Sequence, residues 1–114
     1  MEEVETKLEY LNIEDINVLL RSDVDNPIFL LVCGKECSLS LDYYNEFQDF
    51  KNTIKNAKFY HTYFNDIREI DNISNIAVTP ACYVFYRKKY YLEYLISQEI
   101  INDIIKYLDK KYNN

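Results

Sequence analysis

Pro27-Ile28-Phe29-Leu30-Leu31-Val32-Cys33-Gly34-Lys35-Glu36-Cys37-Ser38-Leu39-Ser40 is the stretch on which the fold turns. Its first half, Ile28 to Val32, is a continuous apolar run of strand length, bounded by Asn26-Pro27 and Gly34. A run without polar alternation suits a central strand buried on both faces. Past the glycine, Leu39, Tyr43, Phe47, Phe50 and Ile54 recur at steps of three and four, which predicts a helix of about four turns with one apolar stripe. Cys37 therefore falls between a strand and a helix N-terminus, where unpaired N–H groups and the helix dipole favour an anion.

Outward from this centre the pattern alternates. Val4 to Tyr10 alternates weakly and makes a poor strand. Asn12 can cap a short helix carrying Ile13, Ile16, Leu19 and Leu20, with Asp15 placed to support the cap. Phe59 to Phe64 reads as an aromatic strand, and Ile67, Ile70 and Ile73 step by three as in a short helix. Val78-Thr79-Pro80 leads into Cys82 to Tyr86, and the polar break Arg87-Lys88-Lys89 separates that run from Tyr90 to Ile96. So short a break implies an antiparallel hairpin. Ser97 can cap a last helix, with Ile100, Ile101, Ile104, Ile105 and Leu108 on its apolar face and Lys106, Lys110 and Lys111 toward its end. The expected order is β-α-β-α-β-α-β-β-α, a mixed α/β sheet with helices on both faces.

Composition bounds the function. The chain has 114 residues, a length that suits one domain over 1–114. A hydrophobic content of 48% supports a packed core, and a net charge of -6 opposes general affinity for nucleic acid. No apolar span suits a membrane helix and the acidic start, MEEVETKLEY, is unlike a signal peptide, so a cytoplasmic protein is expected. Three cysteines are too few for a disulfide framework and fit a reducing compartment. The tyrosine excess carries little functional weight in so Asn-, Ile- and Lys-rich a chain.

The element order, a cysteine after the second strand and an X-Pro before the hairpin together resemble the thioredoxin family, from about Leu8 to Tyr107. The resemblance implies a thioredoxin-like three-layer sandwich. It places Cys37 on the family's nucleophilic cysteine, Ser40 on its resolving cysteine and Pro80 on its cis-proline, giving a degenerate Cys-x-x-Ser motif. Thr79, before that proline, would then offer backbone groups to an extended substrate peptide. The departures are specific. The family's tryptophan before the first cysteine is Glu36, its Gly-Pro pair is Ser38-Leu39, its hairpin glycine is missing, and its buried strand acid, which assists proton transfer, falls at Leu31.

The residues themselves set the available chemistry. A thiolate is the attacking species, yet a lower pKa also weakens it as a nucleophile, so the helix terminus helps only modestly. Lys35 aids the anion and Glu36 opposes it. The alternative for Cys37 is an inert side chain at a helix cap. Ser40 cannot close a disulfide; it can donate to the Cys37 sulfur or satisfy a backbone group of the first turn. Attack by Cys37 alone stops at a mixed disulfide that an external thiol must release.

Cys33 is a candidate auxiliary thiol, with burial as a small core residue the alternative. Cys82 reads as core and His61 as an ordinary strand side chain. A zinc site built from Cys33, Cys37, Cys82 and His61 is disfavoured for want of a paired histidine, and no cofactor is expected. A trans Pro80 that merely opens an edge strand is the alternative to a cis bond. Two functions therefore stay open. One is monothiol exchange with protein or low-molecular-weight thiols and disulfides in cell redox homeostasis. The other is a redox-silent module that binds a partner peptide in the same groove.

Overall fold

The computed structural model describes residues 8–35, 37–68, 70, 76–94 and 96–113. Its elements follow the order β1 (Glu9–Tyr10), α1 (Ile13–Arg21), β2 (Ile28–Cys33), α2 (Ser38–Thr53), β3 (Lys58–Tyr63), α3 (Phe64–Ile67), β4 (Ala81–Tyr86), β5 (Lys89–Glu93) and α4 (Gln98–Asn113). The sheet is five-stranded and mixed, ordered β1-β3-β2-β4-β5. β1 and β2 run parallel to β3, while β4 is antiparallel to both β2 and β5. This is a thioredoxin-like α/β fold.

The apolar run explains the layering. Every residue of β2 is buried. Successive side chains alternate across the pleat, so Phe29, Leu31 and Cys33 enter one core and Ile28, Leu30 and Val32 the other. The first core is closed by Phe47 and Phe50 of α2 and by Ile101, Ile105 and Leu108 of α4. Ile16 of α1 and Ile67 of α3 close the second. Both expected caps form: the Asp15 N–H donates to Asn12 Oδ1 at 2.8 Å within a full capping box, and the Ile100 N–H donates to Ser97 Oγ at 3.2 Å.

Several boundaries differ from expectation. β3 starts at Lys58 and ends at Tyr63, because Phe64 opens α3 and packs toward the second core. That helix is a single turn ending at Ile67; Ile70 is buried beyond it, and Ile73 lies outside the described residues. β5 stops at Glu93 rather than Ile96, which is buried in the first core ahead of α4; Leu95 lies outside the described residues. The hairpin break is two residues, not three, since Lys89 pairs with Tyr86. Arg87 and Lys88 take φ of 53° and 65°, the left-handed pair that a two-residue hairpin turn requires. The weak first strand is only Glu9–Tyr10, beside Tyr60 and His61, and the residues from Val4 to Lys7 lie outside the described ones.

Candidate functional site

The site forms where β2 ends. Gly34 follows the strand, and Cys37 is the N-cap of α2, its carbonyl accepting from the Leu41 N–H at 3.2 Å. Cys37 makes no side-chain capping bond and is half-buried, so its sulfur is left at the helix start with access to solvent. Ser40, one turn on, is buried, and its Oγ accepts from the Gly34 N–H at 3.1 Å. That bond ties the first turn of α2 back to the strand end. The Ser40 hydroxyl and backbone N–H are also the chief influences lowering the Cys37 pKa from its ordinary value, while the backbone group that Ser40 satisfies is at the strand end rather than in the first helical turn. Hydrogen bonds to a charged form favour that form.

Thr79 approaches from the other side. The Thr79–Pro80 bond is cis, and Cys37 Sγ lies 4.0 Å from the Thr79 carbonyl oxygen. Gly34, the only glycine in the chain, makes this approach possible. A Cβ there would stand 2.3 Å from Thr79 Oγ1 and 3.2 Å from Thr79 Cβ. A side chain at this position would force Thr79 to shift, so the glycine suits the close approach of the two segments. The structure thus brings together Cys37, Ser40, Thr79 and Pro80 around Gly34, whose part the sequence reading does not assign. A lone glycine after a buried strand is the available signal. Glu36, at the family's tryptophan position, lies outside the described residues.

The other thiols differ. Cys33 is buried at the end of β2, and desolvation pushes its pKa up to about 11, so it stays protonated at neutral pH. Cys82 is fully buried in β4 opposite Leu31, and burial raises its pKa strongly. All three cysteines are free. Among the described residues no group of three or more His, Cys, Asp or Glu side chains is gathered as for a metal ion. None of the described helices is long and apolar enough to cross a membrane.

Two grooves meet at the end of β2, where both include Cys33 and Gly34. One, of about 740 Å³, runs along the α2 side and is lined by Cys33, Cys37, Leu41, Tyr44, His61 and Tyr63 among others. The second, of about 680 Å³, lies toward Thr79 and includes Lys35, Asn65 and Asp66. His61 is a strand side chain of β3, as expected. It pairs in register with Leu31, the position of the missing acid, and lies buried against the first groove. Sequence periodicity places His61 on a strand but says nothing of which neighbour it meets.

No protein-family model matches the sequence, and no curated protein matches it. Solved structures do. Thioredoxin f from spinach chloroplast, short form, superposes with a TM-score of 0.74 at 13% identity, covering 94% of this chain and 97% of that one. A chain of the complex between ferredoxin:thioredoxin reductase and thioredoxin f2 gives 0.73 at 12% identity, covering 90% and 96%. Thioredoxin f2 from Chlamydomonas reinhardtii gives 0.70 at 14% identity, covering 94% and 98%. At such identities the likeness is one of fold.

Proposed function

We propose that the protein performs monothiol thiol–disulfide exchange, with Cys37 as nucleophile and Thr79-Pro80 as the platform for a substrate peptide. The observation that carries this reading is the setting of Cys37: an N-cap thiol, its pKa lowered chiefly by Ser40, within 4.0 Å of the Thr79 carbonyl. The Cys37 thiol loses its proton to solvent, and the thiolate attacks one sulfur of a disulfide. The old S–S bond breaks as the new one forms, and the departing thiolate takes a proton from water. Ser40 holds the helix turn and the thiolate but has no sulfur with which to expel the product. Release needs a second, external thiol of a protein or a small molecule, and the natural setting is a reducing cytoplasm. Cys33 is the auxiliary thiol of this scheme only if its burial can be relieved.

Leu31 favours a second reading, a redox-silent module holding a peptide in the same place. It is fully buried where a proton-transferring acid would stand, and it cannot titrate.

Trapping separates the two. Wild-type protein incubated with a disulfide peptide should give a mixed disulfide at Cys37 by mass spectrometry, persisting until dithiothreitol is added. Cys37→Ser should abolish it, Cys33→Ser should leave it, and Ser40→Cys should let an intramolecular disulfide form and raise turnover in insulin reduction. A wild-type protein that traps nothing, with an ordinary Cys37 pKa, would sink exchange and leave peptide binding.

A further inference from the structure

The groove on the α2 side of Cys37 is built for something uncharged. Among its described lining residues Leu41 is aliphatic, Tyr44 and Tyr63 present rings, and His61 forms the floor. His61 is only 8% exposed, and its Nδ1 has no hydrogen-bond partner among the described residues. Burial lowers its pKa from the ordinary 6.5, so the imidazole is neutral at pH 7 and adds no charge. Three tyrosines from three elements surround it: Tyr44 of α2 at 5.0 Å between ring centroids, Tyr63 of β3 at 5.6 Å and Tyr10 of β1 at 5.7 Å. The first two stand edge-on, at 86° and 88°.

The apolar character continues to the rim. Leu41 is 60% exposed and Tyr63 46%, a large apolar area to leave in water beside a thiol. The volume, about 740 Å³, falls in the range of small-ligand sites. The groove on the Thr79 side contrasts with it, since Lys35 and Asp66 line that one. An acidic group entering the α2-side groove would lose hydration and meet no cationic side chain, only the first N–H groups of α2 beside a thiol that repels an anion when it is ionised. An aromatic ring would lose nothing of the kind and could add edge-to-face contacts with Tyr44 and Tyr63.

We propose that this groove seats an uncharged aromatic side chain flanking the substrate's disulfide-bonded cysteine, so that Cys37 discriminates among disulfides by the neighbouring residue. The reaction rests on the exchange reading above, whereas the seating rests on the groove alone.

Two peptides test it, identical except for Phe or Ser next to a cysteine held as a mixed disulfide with mercaptoethanol. Trapping rates are taken relative to each protein's own iodoacetamide rate. The Phe peptide should react about tenfold faster with wild type. Leu41→Asp, an exposed change that places a charge at the rim, should bring it down to the Ser peptide's rate. Unreactive versions, with Ser in place of the cysteine, report seating without chemistry. His61 is the only histidine in the chain, so its Hε1 proton gives one resonance. The Phe version should shift that resonance in wild type and the Ser version should not. If both peptides are trapped equally and the resonance stays put, the seat is wrong and exchange survives. If neither is trapped but the Phe version alone shifts His61, the seat stands and exchange falls. A shift produced merely by concentrating the protein would assign the groove to a second copy of the chain and overturn the proposal.

Discussion

Cys37 and Cys82 are the same side chain in opposite surroundings. Cys82 lies near the start of β4, paired with Leu31, with no exposed surface and its thiol 3.6 Å from the Tyr83 carbonyl. Burial there penalises the thiolate and raises the pKa. Cys37 sits where a strand hands over to a helix, and hydrogen bonds from Ser40 lower its pKa. In the strand interior a backbone hydrogen bond from Leu30 favours the thiolate, but the loss of solvent outweighs it. The helix start leaves N–H groups free. The ease of ionising a thiol in this chain is thus a matter of backbone position before it is one of residue type.

The largest expected effect is in the thiols themselves. At pH 7 iodoacetamide should modify Cys37 more than about a thousandfold faster than Cys82, which reacts only through opening of the sheet. The pH dependence runs in opposite directions. A lowered pKa means Cys37 labels at a pH below that of a free cysteine, while Cys33 should gain reactivity only as the pH nears its value of about 11. Peptide mapping after timed alkylation from pH 6 to 10 reads both. Comparable rates at Cys37 and Cys82 would break the comparison.

Gly34→Ala should come next, because it strikes the contact that distinguishes the two surroundings. The new methyl would meet Thr79 Oγ1 and Cβ, so the Thr79 side chain or the segment that carries it must move. Overpacking of this kind costs about 1–3 kcal/mol. Urea denaturation should show that loss, and Cys37 labelling should slow as Thr79 withdraws. Unchanged stability and labelling together would mean that the approach of Thr79 to Gly34 has no consequence.

How much of this is open to the sequence follows from which interactions are local. Ile28 to Val32, the helix after Cys37 and the caps at Asn12 and Ser97 depend on near neighbours and appear in the fold, although of the expected stripe Leu39 is exposed and Ile54 is the C-cap just past the helix. The break at Tyr63–Phe64 is hidden, since an aromatic run carries no internal mark of where a strand becomes a helix. The hairpin is legible, yet its turn length is not, because Arg87 and Lys88 lack the glycine that normally marks left-handed backbone. At the site, the positions of Cys37, Ser40, Thr79 and Pro80 can be anticipated from the resemblance. The use of Gly34 and the aromatic enclosure of His61 cannot, for they arise from segments far apart in the chain.

That turn separates the sheet's stability from the site's chemistry. Non-glycine residues in left-handed backbone cost about 1–2 kcal/mol each, and β4 places the turn at the opposite end of the sheet from Cys37. Arg87→Asn with Lys88→Gly should therefore stabilise the protein by about 1–2 kcal/mol, less what the Arg87 contact with the Tyr86 ring contributes. Cys37 labelling should be unaffected. A changed labelling rate would show that the two ends of the sheet are coupled.

Ser40→Ala is the smallest change expected and the most direct on Cys37. Two consequences follow from one lost hydroxyl. The Gly34 N–H loses its partner, Ser40 Oγ at 3.1 Å, which costs about 1 kcal/mol of stability at a partly buried position. The thiolate loses the hydrogen bond that is the first cause of its lowered pKa, so that pKa must rise toward the ordinary value. The sign is then set: at pH 7 less of the thiol is ionised, and iodoacetamide labelling slows by a few-fold. At pH 10 the thiol ionises with or without Ser40, and the difference from wild type should vanish or reverse, since a more basic thiolate is the better nucleophile. A full pH–rate profile distinguishes this from mere loosening of the helix start, which would shift labelling at both pH values in the same direction. If the profiles of Ser40→Ala and wild type coincide, the serine acts on the backbone alone, and the contrast with Cys82 rests on the helix terminus and Thr79.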